Sequence, residues 1–164
     1  MEIRISQANY HDPQQQADMT LLLDAYATDP MGGGMPLDER VKNNVVKELA
    51  RLPYAFSVIA YVDGGPAGLV NCFEAFSTFA CKPLVNIHDV IVLKQYRGHG
   101  LSQKMLSEVE AIANAKGCCK LTLEVLSGND VAKAAYQKFG FRGYELDPKL
   151  GVALFWQKKL PGIV

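Results

Sequence analysis

The stretch His88–Leu106, HDVIVLKQYRGHGLSQKML, decides how the rest of this chain is interpreted. It begins with a short apolar and β-branched run, Val90 to Leu93, which is typical of a buried strand. The segment Gln95 to Gly100 interrupts that strand, and its two glycines let the backbone turn sharply or a ligand approach closely. From Leu101 the apolar residues recur at helical spacing, and Gly117 is predicted to end the helix. The sequence therefore predicts a strand, a glycine loop and a helix, in that order.

A helix that follows a glycine loop is suited to binding a phosphate group. Its first N–H groups lack partners within the helix and carry a partial positive charge. Gly98 and Gly100 would let an anion reach those groups, and Arg97 adds a permanent charge beside them. The stretch does not match a P-loop, and Gln103 stands where a dinucleotide-binding fingerprint has its third glycine. An ordinary strand-to-helix turn would explain the same residues, so the loop by itself leaves both interpretations open.

Two motifs, in this order, resemble those of the GNAT superfamily of N-acetyltransferases. The pyrophosphate-binding pattern of that family, Gln/Arg-x-x-Gly-x-Gly/Ala, is matched by Gln95, Gly98 and Gly100. A second element of the family, N-x-x-A-x-x-x-Y-x-x-x-G-F, is similar to the segment from Asn129 to Phe141. The resemblance covers the chain from about residue 56 to residue 156. Within it, residues 76–106 are also similar to the polyamine and diamine acetyltransferases.

The hydrophobic pattern predicts the element order β-α-α-β-β-β-α-β-α-β-β, which agrees with the order in the GNAT family. The last two predicted strands are Phe141–Leu146 and Val152–Leu160, with Trp156 as an anchor in the core or on a sheet face. The resemblance implies a mixed α/β fold with a central twisted mixed sheet of about seven strands and about four flanking helices. We expect one domain over residues 1–164.

The resemblance also implies which residues bind acetyl-CoA, largely through their backbone groups. The strand would lie beside the pantetheine arm and the acetyl carbonyl, and the loop would bind the pyrophosphate. The residues so assigned are Val90, Ile91, Val92, Arg97, Gly98, His99, Gly100, Leu101, Ser102, Gln103 and Asn129. Asn129 is equally explained as the N-cap of the following helix, and the two roles are compatible.

Three residues are candidates for proton transfer. Tyr136 aligns with the tyrosine that protonates the departing thiolate in many GNAT enzymes, although its helical neighbours also fit a purely structural aromatic residue. His88 is a candidate base, and Asp89 could instead contact the substrate ammonium. In the polyamine-type enzymes a Glu-Asp pair occupies this strand position, so His88 replaces the glutamate. Because neighbouring strand residues point to opposite faces, at most one of the pair is expected to face the cleft.

Composition restricts the partners and the compartment. Lys plus Arg and Asp plus Glu both number 17, so no basic excess points to a nucleic acid. The longest apolar run, Tyr54–Val62, is too short to cross a membrane, and the N-terminus does not resemble a signal peptide. The four cysteines have no C-x-x-C spacing. We therefore expect no metal site, reduced and mostly buried cysteines, and a cytoplasmic protein.

Together these observations favour an acetyl-CoA-dependent N-acetyltransferase, with direct transfer to a primary amine of a small molecule such as a polyamine or an amino acid. No activated cysteine or serine motif indicates a covalent intermediate. Two alternatives are a non-catalytic acyl-CoA-binding regulatory module and an enzyme that acetylates protein N-termini or lysines. The family resemblance makes a homodimer possible.

Overall fold

The computed structural model describes residues 1–162 of the chain. Its four α-helices, α1 to α4, are Pro13–Thr28, Glu39–Ala50, Leu101–Ala115 and Asp130–Phe139. Its five strands, β1 to β5, are Ile3–Gln7, Ala55–Val62, Gly65–Ser77, Lys82–Val92 and Leu121–Leu123. Short 3-10 turns lie at Pro30–Gly32, Lys94–Tyr96 and Pro148–Leu150. Within the described residues, no helix is long and apolar enough to span a membrane.

The strands form one mixed sheet in the order β1-β2-β3-β4-β5. The first four pair antiparallel, and β5 pairs parallel to β4. Helix α3 covers one face of the sheet, while α1 and α2 cover the other. The α3-side core includes the buried residues Val58, Val70, Val85, Ile87, Met105, Leu106 and Val109. The α1-side core includes Met19, Leu22, Val46, Ile59, Leu69 and Ile91.

The helix boundaries follow the local signals in the sequence. The Asp12 side chain accepts hydrogen bonds from the backbone N–H groups of Gln14 and Gln15, which satisfies donors at the start of α1. Helix α3 ends with Lys116 as its C-cap and with Gly117 at a φ of 72°, the left-handed conformation that glycine adopts without a steric penalty. The predicted strand–loop–helix order is confirmed.

The expectation of about seven strands is wrong for the described residues, which form five. Neither Phe141–Leu146 nor Val152–Leu160 is a strand, and Trp156, the expected core anchor, is 81% exposed. A strand needs a partner for its backbone groups, and the only backbone hydrogen bond recorded between these two segments runs from Ala153 N to Tyr144 O. The prediction of two further strands is therefore wrong, because these segments pair with no strand of the sheet.

The burial of the cysteines was also predicted only in part. All four are free: Cys72 is buried and Cys118 is half-buried, whereas Cys81 and Cys119 are exposed. Burial raises the pKa of the Cys72 thiol, which favours its neutral form. The expectation of mostly buried thiols is therefore wrong for two of them.

Candidate active site

A β-bulge in β4 places both His88 and Asp89 on the same face of the sheet. The register between β3 and β4 shifts between Asn71 and Cys72, which leaves His88 as an extra residue on β4. The His88 ring lies edge-on to Phe73, with 5.4 Å between centroids, and Asp89 Oδ2 accepts a hydrogen bond of 2.9 Å from Asn71 Nδ2. Simple alternation would have separated the two side chains, so the expectation that at most one could face the cleft fails at this bulge.

The same part of β4 is also where it separates from β5. The parallel pairing joins Val85–Ile87 to Leu121–Leu123 and goes no further. Beyond it, Val90–Val92 pair with β3 on one side, and no described strand lies along the other side. Apart from the Val92 carbonyl, which accepts a hydrogen bond from Arg97 Nε, the backbone N–H and C=O groups that point away from β3 have no strand partner and can bind an extended ligand.

The loop after β4 provides an open approach to the start of α3. Gly98 and Gly100 have φ values of 84° and 73°, and a Cβ added to either would meet nothing within 4 Å. Gly100 precedes the helix and supplies no side-chain cap, and Lys104 donates the first helical hydrogen bond, to the Gly100 carbonyl. The N–H groups of residues 101–103 thus remain for a ligand. These features fit a pyrophosphate.

The side chains of this loop are used differently from its backbone. Gln103 Nε2 donates to the Ala135 carbonyl at 2.8 Å and so holds α4 against α3. Leu101 is buried, Ser102 is half-buried and His99 is exposed. The structure adds that Gln103 also positions the helix that carries Tyr136.

Arg97 connects this loop to the end of α1. Its Nε donates to the Val92 carbonyl at 3.0 Å, and its Nη2 donates to Asp29 Oδ2 at 3.0 Å. A hydrogen bond from the Met31 N–H, followed by the Arg97 guanidinium, lowers the pKa of Asp29 below its usual value. The guanidinium is therefore partly engaged by protein groups and fixes the glycine loop relative to α1.

Tyr136 lies half-buried on α4, against the α3-side core. Its ring meets Phe141 edge-on, with 6.0 Å between centroids. Burial, and then electrostatic interactions with Tyr26 and Asp89, raise the pKa of Tyr136 to about 12. The phenol consequently keeps its proton at neutral pH, as a proton donor must.

Two functional candidates were missed by the sequence analysis. Burial, and then the charges of Asp89 and Asp29, raise the pKa of Tyr26, a residue of α1 that no sequence motif singles out. Asn71, which is 3% exposed, donates a hydrogen bond to Asp89 but belongs to no sequence motif. Only the pairing of β3 with β4 brings Asn71 next to Asp89, so no local signal could have identified it.

The capping role of Asn129 is present in the structure. Its side chain accepts a hydrogen bond of 3.2 Å from the Ala132 N–H at the start of α4. Within the described part of the chain, no group of three or more His, Cys, Asp and Glu side chains is arranged to hold a metal ion.

Comparison with known proteins adds sequence evidence to this geometry. The sequence model of the Acetyltransferase (GNAT) family matches residues 19–141. A glucosamine 6-phosphate N-acetyltransferase of Trypanosoma brucei brucei is 34% identical over 65 residues, which are 40% of this chain and 42% of that protein. A mouse (Mus musculus) thialysine N-epsilon-acetyltransferase is 38% identical over 56 residues, 34% of this chain and 33% of that protein. The chain thus spans less than half the length of these relatives.

Solved structures show the same fold at lower sequence identity. The aminoglycoside acetyltransferase AAC(6')-Iy, in complex with a bisubstrate analogue of CoA and acetylneamine, superposes with a TM-score of 0.74 at 18% identity. The superposition covers 98% of this chain and 100% of that one. At this identity the likeness concerns the fold.

Proposed function

The chain belongs to the acetyltransferase (GNAT) family, and we propose that it is an acetyl-CoA-dependent N-acetyltransferase acting on a primary amine of a small molecule. The proposal is carried by three features on elements that follow one another or are bonded together, namely β4, the loop after it with α3, and α4, which Gln103 joins to α3. These features are the bulge with its two titratable side chains, the glycine loop that leads to α3, and the protonated Tyr136. An acyl-transfer site needs each of them.

Acetyl-CoA fits the backbone groups that this chain leaves open. The N–H groups of Gly98–Gln103 would bind the pyrophosphate, and the free edge of Val90–Val92 would hold the pantetheine arm. Asn129, at the start of α4, is a further contact. The thioester, once bound, supplies the acetyl group. Because these contacts come mainly from the main chain, the side chains of β4 remain available for the amine.

Three side chains have separate roles in binding the amine and transferring protons. Asp89 carries the charge that attracts the ammonium of the acceptor, and His88 accepts its proton directly or through water. Tyr136 Oη holds the proton that the leaving sulfur requires. This division assigns the base to His88 and the ammonium contact to Asp89, and the bulge supports it by putting both on one face.

We propose the class of amine acceptor from the substrates that appear in the names of the similar proteins. Glucosamine 6-phosphate and thialysine are both small molecules with a primary amine, and both names occur among the similar proteins. A putative ribosomal-protein-alanine N-acetyltransferase of Bacillus subtilis (strain 168), 26% identical over 62% of this chain, keeps a protein N-terminus as the second candidate. A regulatory module that binds acyl-CoA without turnover is the third.

A thiol-release assay with acetyl-CoA tests the proposal. The acceptors are spermidine, thialysine, glucosamine 6-phosphate, neamine and a peptide with an N-terminal alanine. We expect turnover of one of the small amines, and Tyr136→Phe should lower kcat by about 10²-fold or more because it removes the proton donor. CoA binding, measured by calorimetry, should remain within about twofold, since the main chain provides most of the contacts.

Tyr61→Phe is the matched control for this variant. Tyr61 also has a buried hydroxyl, which donates to Asp18 Oδ2 at 2.8 Å, but it belongs to the α1-side core. It should lose stability and keep its kcat. CoA binding without turnover of any acceptor would support the regulatory module, and failure to bind CoA would refute the proposal as a whole.

We also propose that the protein is a cytoplasmic homodimer. Its four free cysteines are consistent with a reducing compartment. The dimer is supported by an exposed apolar segment, residues 144–160, since large exposed apolar patches mark interaction sites. The large apolar residues exposed in this C-terminal segment are Tyr144, Leu146, Leu150, Val152, Leu154, Phe155, Trp156 and Leu160.

A further inference from the structure

A row of hydrogen-bonded polar side chains crosses the sheet and ends at Asp89. Ser57 on β2, Asn71 on β3 and Asp89 on β4 are directly opposite one another in the strand register. Ser57 Oγ lies 2.6 Å from Asn71 Oδ1, and Asn71 Nδ2 lies 2.9 Å from Asp89 Oδ2. Tyr10, in the loop before α1, places its hydroxyl 2.7 Å from Ser57 Oγ. The row therefore joins four side chains from three strands and a loop.

The chemistry of these groups fixes the direction of every hydrogen bond in the row. An ionised carboxylate only accepts, so Asn71 must present its NH₂ group to Asp89 and its carbonyl oxygen to Ser57. A carbonyl oxygen also only accepts, so Ser57 uses its single proton there and Tyr10 must donate to Ser57. Burial raises the pKa of Tyr10, which keeps this donor protonated. Every donor consequently points along the row towards Asp89.

Packing alone does not explain a polar row at this position. Ser57 is 0% exposed and Asn71 is 3% exposed, so both depend on the hydrogen bonds of the row to offset their lost solvation. The neighbouring positions on the same strands and the same face are Ile59, Leu69 and Ile91, which fill the α1-side core without any polar atoms. Apolar side chains would therefore serve the core equally well, and what the polar row adds is a fixed donor for Asp89.

We propose that Asn71 is a positioning residue that fixes the Asp89 carboxylate for the amine acceptor, while Ser57 and Tyr10 hold the Asn71 amide in place. With Oδ2 held by Asn71, the other carboxylate oxygen, Oδ1, is the one presented to a primary ammonium. The bulge beside Asn71 supplies the local turn that brings Asp89 onto this face. The inference rests on the proposed function for the role of Asp89 and extends it to three residues outside the cleft.

The test replaces the amide by an apolar side chain of similar size. Asn71→Leu removes the donor to Asp89, and kcat/KM for the best amine of the acceptor panel should fall about tenfold to a hundredfold, as expected for a hydrogen bond to a charged group. We expect the loss to appear mainly as a raised KM for the amine, with the KM for acetyl-CoA and the Kd for CoA within about twofold. A purely structural role would not produce this split.

The matched control is Asn86→Leu, which makes the same change on β4. Asn86 is half-buried and donates to Thr122 Oγ1 at 3.1 Å and to Glu124, so its loss affects the β4–β5 junction and leaves the bond to Asp89 in place. It should lower the unfolding midpoint without changing the kinetics towards the amine. An equal rise in the amine KM for both variants would overturn the proposal.

Two milder variants keep the proposal testable if Asn71→Leu does not fold. Ser57→Ala and Tyr10→Phe leave the Asn71 amide in the protein and remove successive supports for it, so the amine KM should rise less, by about threefold and less than threefold respectively. Nuclear magnetic resonance gives a readout without turnover. The side-chain NH₂ signals of Asn71 should shift in Asp89→Ala, and absence of that shift would refute the hydrogen bond.

The outcomes separate this inference from the function on which it rests. If no amine is acetylated and CoA does not bind, both are refuted. If the wild type acetylates an amine but Asn71→Leu retains its kcat/KM, the positioning role is refuted and the acetyltransferase stands. A selective rise in the amine KM, together with unchanged CoA binding and a normal Asn86→Leu control, supports both.

Discussion

The sheet with its three packed helices and the C-terminal segment, residues 144–160, contain the same kinds of apolar residues in opposite environments. Leu106 on α3 is 0% exposed, whereas Leu154 in the C-terminal segment is 70% exposed. Strands β2, β3 and β4 have eight or more residues each, while β1 has five and β5, the last strand before the segment, has three. Apolar composition alone therefore does not bury a segment, because a strand also needs an edge to pair with.

Most features of the candidate site lie in the packed region of the molecule. The bulge, the glycine loop and the polar row all belong to the packed region, where α1 and α3 fix both faces of the sheet. Tyr136 lies near the boundary, and Gln103 connects its helix to α3. This bond holds the helix of the candidate proton donor against α3, although the chain beyond Phe141 is exposed.

The largest expected difference between the two regions is in the free energy of unfolding that the same substitution, leucine to alanine, removes. Leu106→Ala removes a fully buried side chain from the α3-side core and should lower the free energy of unfolding by about 2–5 kcal/mol. Leu154→Ala should change it by less than about 0.5 kcal/mol in dilute protein, since the side chain already contacts water. Urea unfolding measures both, and equal losses would mean that the C-terminal segment is packed in solution.

Much of the packed region was predictable from sequence because its signals are local. Gly117 and the two glycines of the loop act through their own backbone neighbours, and the structure has Gly117 after the end of α3 and the two glycines in the turn between β4 and α3. The position of the glycine loop beside β4 followed from a motif. Such features need no knowledge of which strands pair.

The features that the sequence did not predict depend on contacts between residues that are distant in the sequence. A bulge is a mismatch between two strands, so the sequence around His88 could not indicate that Asp89 would share its face. Likewise, Asn71 is 18 residues from Asp89, and their bond exists only in the register that β3 and β4 adopt. Residues 141–160 have strand-like patterns, but pairing depends on an available edge.

A smaller difference is expected from two glycine-to-alanine substitutions. A Cβ at Gly68 on β3 would lie 2.8 Å from Met105 Cε and 2.9 Å from the Ile91 carbonyl oxygen, so Gly68→Ala should destabilise the protein by about 1–3 kcal/mol. A Cβ at Gly143, just before the C-terminal segment, would meet nothing within 4 Å. Gly143→Ala should be neutral or stabilising by up to about 1 kcal/mol. Thermal unfolding compares them, and a large loss at Gly143 would contradict the open environment of this stretch.

The smallest signal, and the one that tests the homodimer, comes from Trp156. It is the single tryptophan of the chain and is 81% exposed, so its fluorescence should resemble that of a solvated indole in dilute protein. If a second copy covers the C-terminal segment, the emission should move to shorter wavelength as concentration rises, together with a doubling of mass by light scattering. Trp156→Lys and Leu154→Lys should each keep the protein at the mass of one chain.

Reading mass and emission together distinguishes two ways of covering the segment. A short-wavelength emission at the mass of one chain would mean that residues 144–160 fold back onto their own sheet, and the dimer proposal would fail. A doubled mass with a solvated Trp156 would place the interface elsewhere on the molecule. Because the exposed segment leads directly from Phe141, which contacts the Tyr136 ring, covering it by a second copy would also shield the proton donor from water. The kcat of the lysine variants should then fall while their CoA affinity stays unchanged.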